Sequence, residues 1–524
     1  MAIDTRNAPS WVCLLLLSSF LPAQDEKASG EKPSAGEIPI PSDTQGPTTE
    51  LTLRDALILG RRNNTNLKVG ELLPLQAEQD LRLAHASFDP ELYSNISVSK
   101  SKDPTRNIFQ PEITRELFTA TMGVRQLTST GGTFDLSYSP TRLNQSTTVP
   151  GFPESQYTSA LRGSFRQPLL RGAWADYGLK EVRVAQTALA ASQLRFDRSV
   201  QETLLNIVQA YWELVFAREN FRVMFAARAL AGEQLAFTNE QIRVGAKAER
   251  DRIADEAEVA RREEELIATE NEIRSRDDTL RRLLFDDQQG EVWQASAVPV
   301  SPFEVEVDTK ALDWRQLARD SLDQRPDIKA LRADVSIAEE DLLVAERDVL
   351  PQLDLVGAYA TDGTRDSFHM AWDDTVGFDL PDWSLTIELS LPIGNKGPRA
   401  RRDRARLELE RKRRLLYAAE MDVAKEVREA VRRLRTLALS ILASKESVRL
   451  AESDLDTEQQ KVRVGLSTAF EVQRRNQALL DARTRHLRNQ LDYHIARANH
   501  LYSQGLLGVP ESDGAGAKAV PEKK

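Results

Sequence analysis

A single cysteine, Cys13, is all the thiol this chain carries, so neither an internal disulfide nor a thiolate metal cluster is expected. Histidine is almost as scarce. His85, His369, His486, His494 and His500 are the five present, and none stands in an HExxH or comparable ligand spacing. His486, His494 and His500 share one helix at spacings that give no common face, so they read as surface or packing residues. No Gly-rich phosphate loop and no nucleophile elbow occurs. The sequence therefore predicts no enzyme, no metal and no cofactor. Aromatic residues make up 6% of the chain, too few for a thick globular core. A net charge of −10, with no basic stripe interleaved with aromatics, excludes a nucleic-acid partner. No apolar run after residue 23 is long enough to span a bilayer as a helix, so a membrane form would have to be a closed barrel.

What is abundant is charge, at 29% of residues, alongside Ala, Leu, Arg and Glu, and mean hydropathy is −0.44. That mixture suits long solvated helices. Arg6, an apolar run from Trp11 to Leu21 and the Leu21-Pro22-Ala23 stretch before Gln24 read as a secretory signal. Cys13 lies inside that run rather than after it, so no lipid anchor is expected. The expected organisation is a signal peptide (1–23), a disordered linker (24–48), a first structural repeat (49–290), a connecting equatorial segment (291–313), a second repeat (314–505) and a disordered tail (506–524).

The repeat is the most informative feature. Asn66-Leu67-Lys68 faces Asp327-Ile328-Lys329, and Phe88-Asp89-Pro90 faces Val349-Leu350-Pro351, both at an offset of 261. Later landmarks keep the same order: Pro168-Leu169 faces Pro392-Ile393, and Arg243-Val244-Gly245 faces Arg463-Val464-Gly465. Each half opens with a helix (53–86 and 314–348) that Pro90 or Pro351 ends, because proline breaks the helical ladder. The periodicity then changes to two. Leu92, Ile96 and Val98 share a face, as do Phe118, Met122 and Val124, then Phe134, Leu136 and Tyr138, and Leu161 with Phe165. In the second half Leu353, Leu355 and Tyr359 alternate, as do Leu385, Ile387, Leu389 and Leu391, with residues 362–382 expected as loop. This gives four strands in the first half and two in the second. A half-buried soluble sheet and a membrane barrel show the same alternation. The export signal and the repeat favour the barrel.

After Pro168 and Pro392 each half enters a very long helix, Trp174 to Ile242 and Pro398 to Val462, and the first would extend about 100 Å. Three/four spacings of Leu189, Phe196, Val200, Ile207, Tyr211 and Leu214, and of Leu416, Val423, Val427, Ala430, Leu434 and Leu437, are those of coiled coils. Each helix reaches Val-Gly, and a charged helix returns, over 249–284 and 469–501.

In these residues the chain resembles the outer membrane efflux protein family across roughly 50–505. The resemblance rests on the duplicated order, on Gln167-Pro168-Leu169-Leu170-Arg171-Gly172 at a strand-to-helix junction, and on Val464-Gly465-Leu466-Ser467 at a hairpin tip. It implies a mainly α fold with a membrane β-barrel: a homotrimer whose duplicated coiled-coil units form an α-barrel across the periplasm and whose strands pool into one shared β-barrel. It also implies a passive exit duct of a tripartite efflux or type I secretion system. The far end would dock on a periplasmic adaptor, and through it on an inner-membrane transporter. By position the docking role falls on Val464, Gly465, Leu466 and Ser467, and on Val244 and Gly245, where the first tip departs by reading Ala246-Lys247. Tight turns alone would also account for both glycines. Acidic gates of the family map to Glu471 and Asp251, but Arg474 stands where a second acid is frequent. A solvated surface charge accounts equally well for those carboxylates. Pro90, Pro168, Pro351 and Pro392 mark the helix–strand junctions. The additional first-half hairpin departs from the usual four strands, and could sit in the barrel wall or outside it. A periplasmic coiled-coil adaptor is the competing reading, although an adaptor normally needs one hairpin flanked by compact β-domains.

Overall fold

The structure, a computed structural model, describes residues 48–104, 112–146, 154–285, 296–307, 312–378, 381–464 and 466–509. The signal peptide, residues 24–47 of the linker, Gly465 and the tail from 510 lie outside the described residues. In chain order the elements are β1 Thr48–Leu51, α1 Leu53–Asn63, α2 Thr65–Ala86, β2 Glu91–Pro104, β3 Glu112–Leu127, β4 Thr133–Gln145, β5 Ser155–Pro168, α3 Ala175–Gly178, α4 Lys180–Arg243, α5 Glu249–Leu284 and β6 Ser296–Pro299. The second half supplies α6 Trp314–Gln324, α7 Pro326–Arg347, β7 Gln352–Arg365, α8 Phe368–Gly377, β8 Pro381–Ser390, α9 Lys396–Arg463 and α10 Ala469–Ser503.

Six strands form one antiparallel sheet in the order β2-β3-β4-β5-β7-β8. The additional hairpin, β3–β4, is therefore in the sheet itself, between β2 and β5. Its turn packs on the strand-to-helix junction, where Gln167 Nε2 donates to Thr130 O at 3.1 Å. Glycine is required there: a Cβ on Gly178 would lie 2.2 Å from Ser129 O, and one on Gly131 2.2 Å from Gly172 O.

Single helices are expected over 53–86 and 314–348, but each is two. Asn64 (φ −59°, ψ 119°) and Arg325 (φ −64°, ψ 125°) leave helical space, and they stand at equivalent positions of the repeat. Pro326 forces extended backbone on Arg325. Asn64 instead caps the second helix, its Oδ1 accepting from Leu67 N–H at 3.2 Å. Both helices then stop four residues short of Pro90 and Pro351, and each strand starts one residue beyond its proline.

The two breaks do the same work. Asn64 Nδ2 donates to Leu283 O at 3.0 Å, and Arg325 Nη1 donates to Ser503 O at 3.1 Å. Each side chain is buried and satisfies a C-terminal carbonyl of the returning helix of its own half, α5 or α10, a group the helix cannot satisfy itself. Arg325 adds an ionic cluster, with both Asp327 oxygens at 3.0 and 2.6 Å and Glu426 at 2.5 Å. Burial alone would lower the Arg325 pKa and raise that of Asp327. The Asp327 and Glu426 hydrogen bonds instead raise the guanidinium, and Arg325 holds the Asp327 carboxyl below its ordinary value.

Long helices pair as expected. α4 has 64 residues and α9 has 68, about 96 and 102 Å. α4 packs on α5 and α9 on α10, and α10 also packs on α4. Nearer the sheet, neighbours run in the order α2, α4, α7, α9. Ile207, Tyr211 and Leu214 of the expected α4 stripe are fully buried, as are Val423 and Val427 on α9. At mid-height a small parallel sheet pairs β1 with β6, the first strand beginning at Thr48, the last linker residue. Tyr211 Oη ties it in, 3.0 Å from Leu51 O and 2.7 Å from Ser301 Oγ. Beside it His494 stacks on Trp212 at 3.6 Å between ring centroids, with Nε2 3.1 Å from Phe303 O. Burial pushes the His494 pKa down, against the Phe303 bond.

Residues 362–382, expected as loop, hold the end of β7 and the ten-residue α8. Ser367 caps it, accepting from Met370 N–H at 3.5 Å. The sheet-facing positions are small, Ala371 and Thr375, both buried.

Candidate docking tips and channel-lining face

Two ends of the fold carry surface that its own residues leave uncovered. At the first, the α4–α5 and α9–α10 hairpins turn. Gly245 has φ 77°, which a residue with a side chain adopts only with strain, so one function of this glycine is the turn. The two hairpins lie side by side, Gln473 Nε2 donating to Glu258 at 2.7 Å and Arg262 to Gln477 at 2.5 Å.

The tips differ. Lys247 folds back onto α4, donating to Thr238 Oγ1 at 3.1 Å. Val244 is left exposed beside it. The second tip presents an apolar cluster: Val464 is 69% exposed, Leu466 79% and Phe470 69%. Phe470 escaped the sequence reading because it sits beyond the Val-Gly-Leu-Ser segment. Ser467 donates to Glu458, which Lys461 also pairs at 3.0 Å, so the turn is pinned from beneath.

Glu471 and Asp251 both sit in the first turn of a returning helix, where a carboxylate complements the helix dipole. Glu471 N–H is also capped by Thr468 Oγ1 at 3.4 Å, and Arg474 pairs with the Glu471 carboxylate at 3.1 Å. The two acids are not brought together. Contacts between α5 and α10 join residues 215 apart, whereas Val244 and Val464 are 220 apart. Five residues of stagger, about 7.5 Å, put Glu256 rather than Asp251 level with Glu471.

At the other end is the sheet. One cross-strand row runs Leu92, Val124, Leu136, Gly163, Tyr359, Trp383, and rows beside it carry Met122 with Tyr138 and Leu161, and Phe134 with Phe165, Gly357 and Leu385. This face is apolar yet open, with Leu92 80%, Trp383 77% and Leu389 71% exposed. The opposite face is polar. Arg166 bridges Asp354 at 2.7 Å and Glu388 at 2.9 Å, and Tyr93 Oη donates to Asp135 at 3.0 Å. Apolar residues occupy 383–389 on β8 but 92–98 on β2, although Leu385 is level with Gln126, beyond the start of β2. The apolar band thus climbs across the register, as tilted barrel strands require. All four junction prolines stand at the boundary between this sheet and the helices. Among the described residues no helix is long and apolar enough to cross a membrane, and no cluster of three or more potential metal ligands occurs.

Residues 317–503 match the family described as outer membrane efflux protein. The fold extends the likeness to the rest of the chain. The Campylobacter jejuni CmeC outer membrane channel superposes with a TM-score of 0.63 at 17% identity, over 88% of this chain and 87% of that one. The Vibrio cholerae outer membrane protein VceC gives 0.63 at 17%, over 86% and 96%. The outer-membrane channel OprN gives 0.65 at 14%, over 91% and 99%. The second repeat thus matches the outer membrane efflux protein family, and the whole chain shares the fold of these channels. Comparison with curated proteins finds no match. The matched family is one of passive outer-membrane channels rather than an enzyme class. The family match lies in the second repeat, which keeps the full tip segment. The first repeat, with its additional hairpin and altered tip, falls outside it.

Proposed function

We propose that three copies of this chain form a passive exit duct through the outer membrane, the terminal part of a tripartite efflux or type I secretion system. The observation that carries the reading is the open six-stranded sheet, with one apolar and one polar face. Within lipid every unpaired backbone group costs several kcal/mol, so such a sheet must close, and bacterial barrels have at least eight strands. Six strands cannot close alone. The outer strands β2 and β8 continue directly into α2 and α9, the outer helices of the layer beneath. Those same helices carry open apolar side chains, Val69, Leu72, Leu73 and Leu83 on α2 and Leu407, Tyr417 and Met421 on α9. A neighbouring copy covers both at once, pairing β8 with β2 and packing α9 on α2. Three copies give a barrel of eighteen strands rather than twelve, with the Arg166 face as its lumen.

The opposite end docks on a periplasmic adaptor, which links the duct to an inner-membrane transporter. Val464, Gly465, Leu466 and Ser467 make the principal contact, with Phe470 beside them and Val244 and Gly245 as a lesser one. Their apolar side chains suit a partner helix pair better than solvent. Glu471, salt-bridged to Arg474, lies just above the tip, where converging copies would narrow the tunnel. Membrane fractionation with native mass measurement in detergent tests the assembly. A species of three times the chain mass in the outer membrane is expected, and a soluble periplasmic monomer would refute the duct.

A further inference from the structure

Helix α8 lies on the apolar face of the sheet, the face the duct reading turns toward lipid. Four contacts fix it there. Trp372 meets Tyr138 edge to face at 5.1 Å, and Phe378 stands 6.3 Å from Tyr359. Thr361 Oγ1 donates to Thr375 O at 3.3 Å, and Thr375 Oγ1 lies 2.8 Å from Ser159 O. The approach is so close that a Cβ on Gly363 would fall 2.3 Å from Ala371 O. Contacts at Arg365, Thr361 and Tyr359 show the helix running back down the wall from the far rim of β7 over β5 and β7. It sits one strand inside the β8 edge, so it leaves the seam between copies free.

Its flanks are strongly apolar. Phe368, Met370, Trp372, Val376 and Phe378 are exposed on its flanks. The ridge farthest from the sheet carries His369 and Asp373, paired at 3.0 Å, while Asp374 pairs with Arg365 at 2.7 Å. Phe368 also closes a groove of about 570 Å³ against Val98, Phe118 and Tyr157, with Arg142 and Glu116 in its lining; Glu116 is paired with Lys100, so the three charges together are net positive. The Arg142 guanidinium stacks over Tyr157 at 5.5 Å. An apolar groove continuous with a lipid-facing wall, with a cation in its lining, matches a phosphate-bearing lipid: an acyl chain in the groove and its phosphate at Arg142.

We propose that α8 is an external collar immersed in the outer leaflet, and that its groove holds one acyl chain of a phosphate-bearing lipid. The inference rests on the duct reading, and the test separates the two. Nitroxide labels at Met370→Cys, Phe378→Cys and Ile387→Cys, in a chain carrying Cys13→Ser, are placed in phosphatidylglycerol-containing vesicles and probed with oxygen and a nickel chelate. Ile387, on the bare β8 wall, reports the wall alone. The collar requires the oxygen-to-nickel ratio at Met370 and Phe378 to be within about twofold of that at Ile387. Nickel access at both helix labels with a lipid-exposed Ile387 overturns the collar and leaves the duct standing, as does protection from both reagents, which would mean a protein cover. Nickel access at Ile387 overturns the duct itself. For the groove, Arg142→Gln should cut retention of phosphatidylglycerol in native mass spectra by about tenfold. Unchanged retention removes the lipid from that groove.

Discussion

Replacing Arg325 with Ala should destabilise the helical part of the molecule more than any comparable change in the first repeat. The Arg325 side chain is 4% exposed and holds Asp327, Glu426 and the Ser503 carbonyl together. Removing one member of a buried ion pair costs about 3–5 kcal/mol, because the remaining charge is stranded. Here Asp327 and Glu426 are 32% and 49% exposed, so water recovers part of that penalty, and about 2–4 kcal/mol is expected. At the equivalent position Asn64→Ala removes a neutral cap and one hydrogen bond, about 1–2 kcal/mol. The order of the two is the test. Urea unfolding followed by helical circular dichroism in detergent, at pH 7, should place Arg325→Ala below Asn64→Ala and both below the parent. Arg325→Lys should recover little, since the ammonium cannot grip Asp327 with two parallel bonds. The Asp327 carboxyl titrates below its ordinary value in the folded chain, so its contribution is complete above about pH 4 and is lost as pH falls through that lowered value. The gap between parent and Arg325→Ala should therefore narrow in strong acid. Equal midpoints for parent and Arg325→Ala at pH 7, or a larger loss from Asn64→Ala, would refute the reasoning.

Leu466→Asp should abolish export, measured as substrate accumulation in cells, while leaving the native mass of the assembly unchanged; Val244→Asp should have the weaker effect, and full export by Leu466→Asp would remove the tip from the docking surface. Glu471→Gln should lower cation preference in planar bilayers, whereas an unchanged reversal potential would return the carboxylate to a solvated surface charge paired with Arg474. Burial holds His494 neutral below its ordinary range, so the unfolded chain takes up a proton first as pH falls. Thermal stability should thus decline below about pH 6.5, less steeply in His494→Gln, and identical slopes would mean that other groups drive the loss.

The sequence carries the parts of this fold that depend on backbone chemistry. Pro90 and Pro351 mark the change from helix to strand, and strict alternation at 384–391 locates β8 and its apolar face. The helix breaks were harder to see. Pro326 was a visible signal for Arg325, but Asn64 is a polar residue inside a helical pattern, and only its capping geometry distinguishes it. Helix α8 was hidden because it buries just Ala371 and Thr375, so its large apolar residues lie on the flanks and show no helical stripe. Strands β1 and β6 are four residues each, too short for any period to register. At the tip, residue types located the turn, but the stagger that separates Glu471 from Asp251 is a property of how two hairpins pack. No spacing along one chain contains it.

The two repeats agree and disagree in a way that follows from what each part touches. At mid-height the chain contacts itself, and there a duplicated problem has kept a duplicated answer: a returning helix leaves orphan carbonyls, and a break residue on the opening helix satisfies them in both halves. Asn64 does so with an amide and Arg325 with a cation, so the geometry is retained while the chemistry is not. The differences collect at the two ends. The hairpin β3–β4 and the helix α8 lie in the sheet and against it, where the proposed duct meets lipid, and the Val464–Phe470 cluster belongs to one tip only. A hairpin added within the sheet widens a barrel without lengthening or widening the helical layer below, because β2 and β5 still join α2 and α4. The exit of such a duct can grow while its entrance stays fixed. In the proposed duct, restriction on what passes would then belong to the tips, where Glu471 and Arg474 stand, rather than to the wall.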